Sequence, residues 1–245
     1  MNPDLVILSA TLFEISHFLA LHPGDSKRLT GTGLTIITGK AHHKIYDLMI
    51  TGPGVFNAAH ALSVYLEHSS PAMVLLTGIA GIFRQTGGNI GDVAIATQEH
   101  YIHTGIQTDY LENDPLPFDL IEADPLTRKG IYPFEQKRVD QAHEILSRFF
   151  VSKKINIIKG PFITVSSITS SFKQADRLYS AFSPVMEAME GAACAHIAAL
   201  YDIPIIEVRS ASNYVGERDK SRWDIDLAAK QLGRVCAAFQ GFPKG

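Results

Sequence analysis

Cysteine is nearly absent: the 245 residues hold two, Cys194 and Cys236, both within apolar helical patterns. Two such thiols make no disulfide framework, and small buried thiols in a reducing compartment are the expectation. An excess of either charge is also missing. Twenty-two basic side chains face 25 acidic ones, a net charge of −3. With 46% apolar residues, that balance excludes a disordered chain and gives no basic stripe for a nucleic acid. The longest apolar stretch, Ala72 to Phe83, falls short of the roughly 18 residues that suggest a membrane span. The start, MNPDLVILSATLFE, lacks the basic opening and small-residue cleavage site of a secretory leader, so a cytoplasmic protein is expected. No membrane and no nucleic-acid partner is expected.

Several chemical signatures are missing as well. There is no GxGxxG and no GxxxxGK[ST], which argues against dinucleotide and P-loop sites. Ten histidines occur, yet none stands in HExxH or Cys/His spacing, so no metal is expected. His42-His43 suits a solvated turn. No GxSxG nucleophile elbow is present. Ser166, Ser167, Ser170 and Ser171 crowd one segment that suits a polar loop.

What is present is alternation of strand-like and helix-like segments. Strands are expected at 5–9, 33–38, 46–51, 73–77, 92–97, 155–158, 162–165 and 203–209. Runs such as Leu5-Val6-Ile7-Leu8 are continuously apolar, as strands covered on both faces are. Helices are expected at 13–21, 55–67, 138–150, 172–182, 192–201 and 224–239. In the second of these Val55, Ala58, Ala59, Leu62 and Leu66 fall on one face. Residues 108–134, with four prolines and several acids, form a long irregular segment: a surface excursion, a lid or a subunit contact. No linker or repeat divides the chain, and one α/β domain spanning 1–245 is expected.

Glycines follow two apolar runs, Gly52-Pro53-Gly54 and Gly78-Ile79-Ala80-Gly81. Taken alone they are turns, although ligands in α/β sheets sit at carboxyl ends of strands. Two carboxylates interrupt the small, apolar run Met186-Glu187-Ala188-Met189-Glu190-Gly191-Ala192-Ala193 at an expected helix start. A glutamate there can serve the helix dipole alone. Further on, Ile205-Ile206-Glu207-Val208-Arg209 runs out into Ser210-Ala211-Ser212-Asn213.

These last two stretches, with Glu14 after the first strand and both glycine clusters in matching order, resemble the nucleoside phosphorylase/nucleosidase superfamily. The likeness spans residues 5 to about 239 and weakens between 108 and 150. Within the superfamily, Asn213-Tyr-Val-Gly216-Glu-Arg218-Asp219 with Trp223-Asp224 is most similar to the futalosine hydrolases, which act in menaquinone biosynthesis.

The resemblance implies a three-layer α/β/α sandwich whose mixed, twisted sheet partly closes into a barrel. It implies a homo-oligomer, a small nucleoside substrate and no cofactor. It also implies roles for single residues. Glu14 activates the attacking water, Glu190 holds the ribose hydroxyls, and Met189 packs on the sugar. Ile168 and Thr169 meet the base, and Gly81 and Ile79 line the site. Asn213 stands where adenine-releasing nucleosidases have an aspartic acid. An asparagine cannot protonate a base, but its amide suits N7 and O6 of a 6-oxopurine. Hypoxanthine release from futalosine is therefore expected. The alternatives are a methylthioadenosine/S-adenosylhomocysteine nucleosidase, a phosphorylase, or a nucleoside binder without catalysis. The turn Ser9–Glu14 has no arginine and no glycine for phosphate, which favours water as nucleophile. Futalosine has a carboxylate on its aryl tail, and Arg84 or Arg218 could bind it.

Overall fold

The computed structural model describes residues 2–41, 44–108, 112–151 and 154–239. The His42-His43 turn lies outside them. The elements in order are β1 (Leu5–Ser9), α1 (Ser16–Leu21), β2 (Ser26–Leu29), β3 (Thr35–Ala41), β4 (Lys44–Ile50), α2 (Val55–Leu66), β5 (Val74–Ile82), β6 (Val93–Tyr101), β7 (Ile131–Pro133), α3 (Gln136–Phe150), β8 (Ile157–Thr164), α4 (Phe172–Phe182), β9 (Met186–Ala188), α5 (Gly191–Leu200), β10 (Ile205–Tyr214) and α6 (Ile225–Phe239).

All the strands belong to one mixed sheet, in the order β10-β6-β8-β9-β5-β1-β4-β3-β2, with β7 on β6. Strand β10 also pairs with β5, so β5, β10, β6, β8 and β9 close a five-stranded barrel. Strands β1 to β4 extend from it as an open wing. The expected sandwich with a partly closed sheet is what the chain forms.

Every residue of β1 is buried, and the two faces explain its continuous apolar run. Val6 and Leu8 pack with Ala58, Leu62 and Tyr65 of α2 and Cys194 of α5. Leu5 and Ile7 join Phe18 of α1 with Val235 and Cys236 of α6. Both cysteines are free and fully buried, and burial pushes both thiols up in pKa. No helix among the described residues is long and apolar enough to cross a membrane.

Several expected boundaries move. The segments 155–158 and 162–165 become one strand, Ile157–Thr164, paired with β6 up to Gly160 and again from Phe162 after a register shift, where β9 joins on its other side. Gly78 to Gly81 lies inside β5 rather than in a turn after it. Met186–Ala188 is strand β9, not a helix start, since it pairs with both β5 and β8. The buried face of α2 is Ala58, Ala61, Leu62, Tyr65 and Leu66, with Val55 and Ala59 turned elsewhere. Segment 108–134, as far as it is described, binds to itself and to the end of β6. Asn113 donates to the carbonyls of Ile102 (3.3 Å) and Thr104 (3.2 Å). Buried Thr127 accepts from the N–H groups of Leu120 (3.0 Å) and Ile121 (3.2 Å).

Candidate active site

A cavity of about 220 Å³ opens where β1, β5, β9 and β10 end. Thr11, Glu14, Ile79, Gly81, Ile168, Thr169, Met189, Glu190 and Asn213 all line it. Every site residue expected from the sequence is thus in one place.

Glu14 sits in the turn after β1, 5% exposed. Its Oε2 accepts from the N–H (2.8 Å) and hydroxyl (3.0 Å) of Thr11 and from the Ser9 hydroxyl (3.4 Å). Its Oε1 accepts from the N–H of Ile79 (3.0 Å). Those four donors fix its orientation. Ile79 therefore contributes a backbone N–H as well as a lining side chain.

Glu190 stands between β9 and α5, at the start of that helix but with no capping bond from its side chain; its oxygens are bound elsewhere. Its Oε1 accepts from the N–H of Gly54 (2.9 Å). Gly54 has φ +91° and Gly52 φ +85°, the left-handed region where glycine is favoured. The Gly-Pro-Gly turn thus delivers a donor to Glu190. Its Oε2 meets Nη1 of Arg209 at 3.2 Å.

Arg209, which sequence reasoning passed over, links the cluster. It is 1% exposed, and its Nε donates to Glu207 at 2.7 Å. Nη2 has no protein partner. Burial works against its charge, but Glu207 and Glu190 outweigh it, and its pKa is raised. The signal was an ionisable i, i+2 pair, Glu207 and Arg209, on one face of an apolar strand. Gly78 pairs with Arg209 across the strands. A Cβ there would collide with the guanidinium and lie 3.1 Å from Glu14 Oε1. Glycine at 78 lets the arginine and the carboxylate approach one another.

Beneath the start of α5 lies Glu99, fully buried beside Glu207, with Oε2 accepting from Thr164 (2.7 Å). A side chain on Gly191 would strike both carboxylates. Burial and the neighbouring Glu207 hold the Glu99 carboxyl well above the usual carboxylate range. Two adjacent carboxylates cannot both ionise cheaply, so Glu99 holds the proton while Glu207 faces Arg209.

At the other end of the cavity Asn213 donates Nδ2 to the Tyr214 carbonyl (3.0 Å) and accepts from Ser212 (2.8 Å) at Oδ1. The carbonyl can only accept, which identifies the amide nitrogen and leaves its second N–H for a ligand. Glu187 also lines the cavity, 7% exposed. It accepts the N–H of Thr169 at 3.1 Å and the Thr169 hydroxyl, so the donors expected for a base are turned onto this carboxylate. Burial raises the pKa of Glu187, opposed by the Thr169 bonds and by the charge of Arg218. Arg218 stacks on Trp223, a lining residue, at 5.3 Å. Arg84 lies 3.6 Å from the ring centroid of Phe172.

Two of the crowded serines have local partners. Ser171 caps α4 by accepting from Gln174 (3.3 Å), and Ser166 bonds Tyr101 (2.8 Å). No group of three or more His, Cys, Asp or Glu able to hold a metal ion occurs among the described residues.

A family model described as the phosphorylase superfamily matches residues 4–240. The chain belongs to that superfamily. Among curated proteins it is 26% identical to a 5′-methylthioadenosine/S-adenosylhomocysteine nucleosidase from Oceanobacillus iheyensis, over 86% of this chain and 87% of that one. It is 30% identical to a futalosine hydrolase from Acidothermus cellulolyticus, over 80% and 76%. In fold it matches a methylthioadenosine/S-adenosylhomocysteine nucleosidase from Colwellia psychrerythraea solved with adenine. The TM-score is 0.81 at 17% identity, covering 98% of this chain and 96% of that one. A futalosine hydrolase mutant of Helicobacter pylori matches at TM-score 0.77 and 20% identity, covering 96% of each. The chain is an enzyme of the nucleosidase class, as expected, and beyond these four most of the proteins it resembles are named methylthioadenosine/S-adenosylhomocysteine nucleosidases.

Proposed function

We propose that this nucleosidase hydrolyses the N-ribosidic bond of a 6-oxopurine nucleoside, with futalosine as substrate and hypoxanthine as the released base. The observation that supports this reading is Asn213, whose oriented amide offers a donor where a protonated acid would be needed for adenine.

The residues suit the three demands of the reaction. Water adds at C1′ as the C1′–N9 bond breaks, and Glu14 takes the proton from that water. General-base help of this kind contributes about 10²–10⁴ in rate. Arg209, buried behind Gly78 and in contact with Glu190, keeps positive charge beside the two carboxylates that face the substrate. Glu190 accepts from the ribose hydroxyls, and charge-assisted bonds strengthen as the ring becomes cationic. Met189 packs on the sugar. The remaining N–H of Asn213 serves N7 or O6 as negative charge builds on the departing base. Ile168, half-exposed, covers the base side of the cavity. Of the two arginines suggested for the aryl carboxylate, Arg218 stands nearer the cavity, on Trp223.

Water rather than phosphate is supported by the turn after β1. Its Thr11 N–H and hydroxyl are given to Glu14, so an incoming phosphate would meet a carboxylate instead of free donors. Desolvating it there would be costly.

A second reading, methylthioadenosine/S-adenosylhomocysteine nucleosidase, is the better supported by likeness, because most relatives have that activity in their names. A homo-oligomer also remains our proposal. Phe56, 89% exposed beside a hollow lined by Val55, Ala59 and His196, is the contact we assign to it.

The test incubates the protein with futalosine, inosine and methylthioadenosine, with and without phosphate, and identifies the base. Hypoxanthine from futalosine, unaffected by phosphate, is expected. Adenine release with futalosine left intact would establish the second reading instead.

A further inference from the structure

Asn213 accounts for one edge of the base, and the opposite edge needs a partner. Strand β9 lies beside β5 with Glu187 paired to Gly81, while β10 lies on the other side with Asn213 paired to the same glycine. Directly paired residues on neighbouring strands project to the same face. Asn213, Gly81 and Glu187 therefore form a row across three strands, about 10 Å between its outer Cα atoms at the usual strand spacing. The middle position has no side chain of its own, and Val215 packs over it. A Cβ on Gly81 would stand 2.9 Å from Val215 Cγ2 and 3.5 Å from Asn213 Nδ2, in the space over that row. A flat ring lying over Gly81 and Val215 would have Asn213 at one edge and Glu187 at the other, all four lining the same cavity.

The chemistry of the second edge is one-sided. Thr169 gives both of its donors, the N–H and the hydroxyl, to Glu187. An ionised carboxylate accepts about four hydrogen bonds, so acceptor capacity remains toward the cavity that Glu187 lines. The edge offers acceptors where Thr169 alone would have offered donors. Hypoxanthine has a hydrogen on N1; adenine has a lone pair there. An acceptor edge suits the first and opposes the second. A ligand N–H would also replace some of the solvation that burial removes from Glu187, whose pKa that burial raises.

We infer that Glu187 is a specificity-determining residue that accepts the N1–H of the 6-oxopurine, opposite Asn213 on the far edge. This inference rests on the proposed release of hypoxanthine and adds the residue that reads its other side.

The experiment compares binding of hypoxanthine with that of 1-deazahypoxanthine, which keeps the shape and loses the N1–H. Calorimetry on wild type, Glu187→Gln and Glu187→Asp gives the affinities. Thermal melts check folding, and kcat/KM on futalosine is measured in parallel. Wild type should bind 1-deazahypoxanthine at least about 10-fold more weakly than hypoxanthine. Glu187→Gln should bind hypoxanthine about 10-fold more weakly and shrink the difference between the two bases to a few-fold. Glu187→Asp should recover part of the discrimination, which a merely structural role would not predict. If both variants discriminate as wild type does, or if wild type does not discriminate, Glu187 does not read N1 and the inference fails while hypoxanthine release stands. If wild type releases only adenine from nucleosides, the reading of the whole site fails and this inference fails with it.

Discussion

Both halves of the sheet bury carboxylates, but they finish them differently. In the open wing, Asp47 is 3% exposed. It accepts from Tyr65 at 3.0 Å, from Arg28 at 3.1 Å and from Thr38. Burial, then the charge of Asp47, pushes the Tyr65 phenol up in pKa, so the tyrosine stays a donor. At the barrel, Glu99, Glu187, Glu190 and Glu207 are also buried, and Glu14 reaches the same site from the turn after β1. There the pairing is less complete: Glu99 Oε1 and Glu207 Oε2 lie together with one proton between them, and Arg209 Nη2 has no partner among the protein's hydrogen bonds. Burying polar groups is costly unless they are paired. The difference that bears on function is position: Asp47 is sealed away from the cavity, whereas Glu14, Glu187 and Glu190 line it.

The difference can be broken first at Glu14. Replacing it with Gln keeps shape and most donors but removes the base, and turnover should fall about 10²–10⁴-fold with substrate affinity changed only a few-fold. Wild-type-like turnover in single-turnover kinetics would remove Glu14 from its role. Next is Arg209→Met, which leaves Glu190 and Glu207 buried without their counter-charge. Breaking a buried pair from one side costs about 3–5 kcal/mol, so the melting temperature should drop steeply and activity should vanish with it. A stable variant would show that Arg209 is not what holds the carboxylates.

Asp47→Asn addresses the closed cluster. It should cost about 1–3 kcal/mol of stability by disturbing satisfied bonds while kcat stays near wild type. A large loss of kcat without a loss of stability would erase the distinction between the two regions. The smallest effect is expected from Glu99→Gln. The folded protein holds a proton on Glu99 to higher pH than the unfolded chain does, so stability must fall as pH rises from the ordinary glutamate range toward the raised folded value. The Gln variant mimics the protonated acid and should lose that decline. Denaturant melts from pH 5 to 9 would expose an unchanged slope, and with it an error in where the shared proton sits.

The sequence made the two-faced burial of β1, the helices and the glycine-flanked site legible, because periodicity and turn residues act locally. It missed β9 because three residues give no period. Only pairing with β5 and β8 makes them a strand. The same short strand hid Glu187, which the pattern assigned to a helix start. Arg209 and Gly78 escaped for a related reason. Their roles exist only across strands, where a missing Cβ makes room for a guanidinium. Glu14, Glu190 and Asn213 were legible through the resemblance, and the structure adds what orients each of them.

The central claim is that Asn213 selects a 6-oxopurine, and a pair of substrates differing only at C6 tests it most directly. Futalosine and its 6-amino congener would be compared by kcat/KM in wild type and in Asn213→Asp, from about pH 5 to 8. Aspartate at 213 would face the Tyr214 carbonyl, now 3.0 Å from the amide nitrogen, and would hold a proton most readily at the acidic end. Wild type should prefer futalosine by about 10²-fold or more, and the variant should lose most of that preference, furthest at low pH. A wild type that prefers the 6-amino substrate, or a preference unchanged by the substitution, would contradict the account.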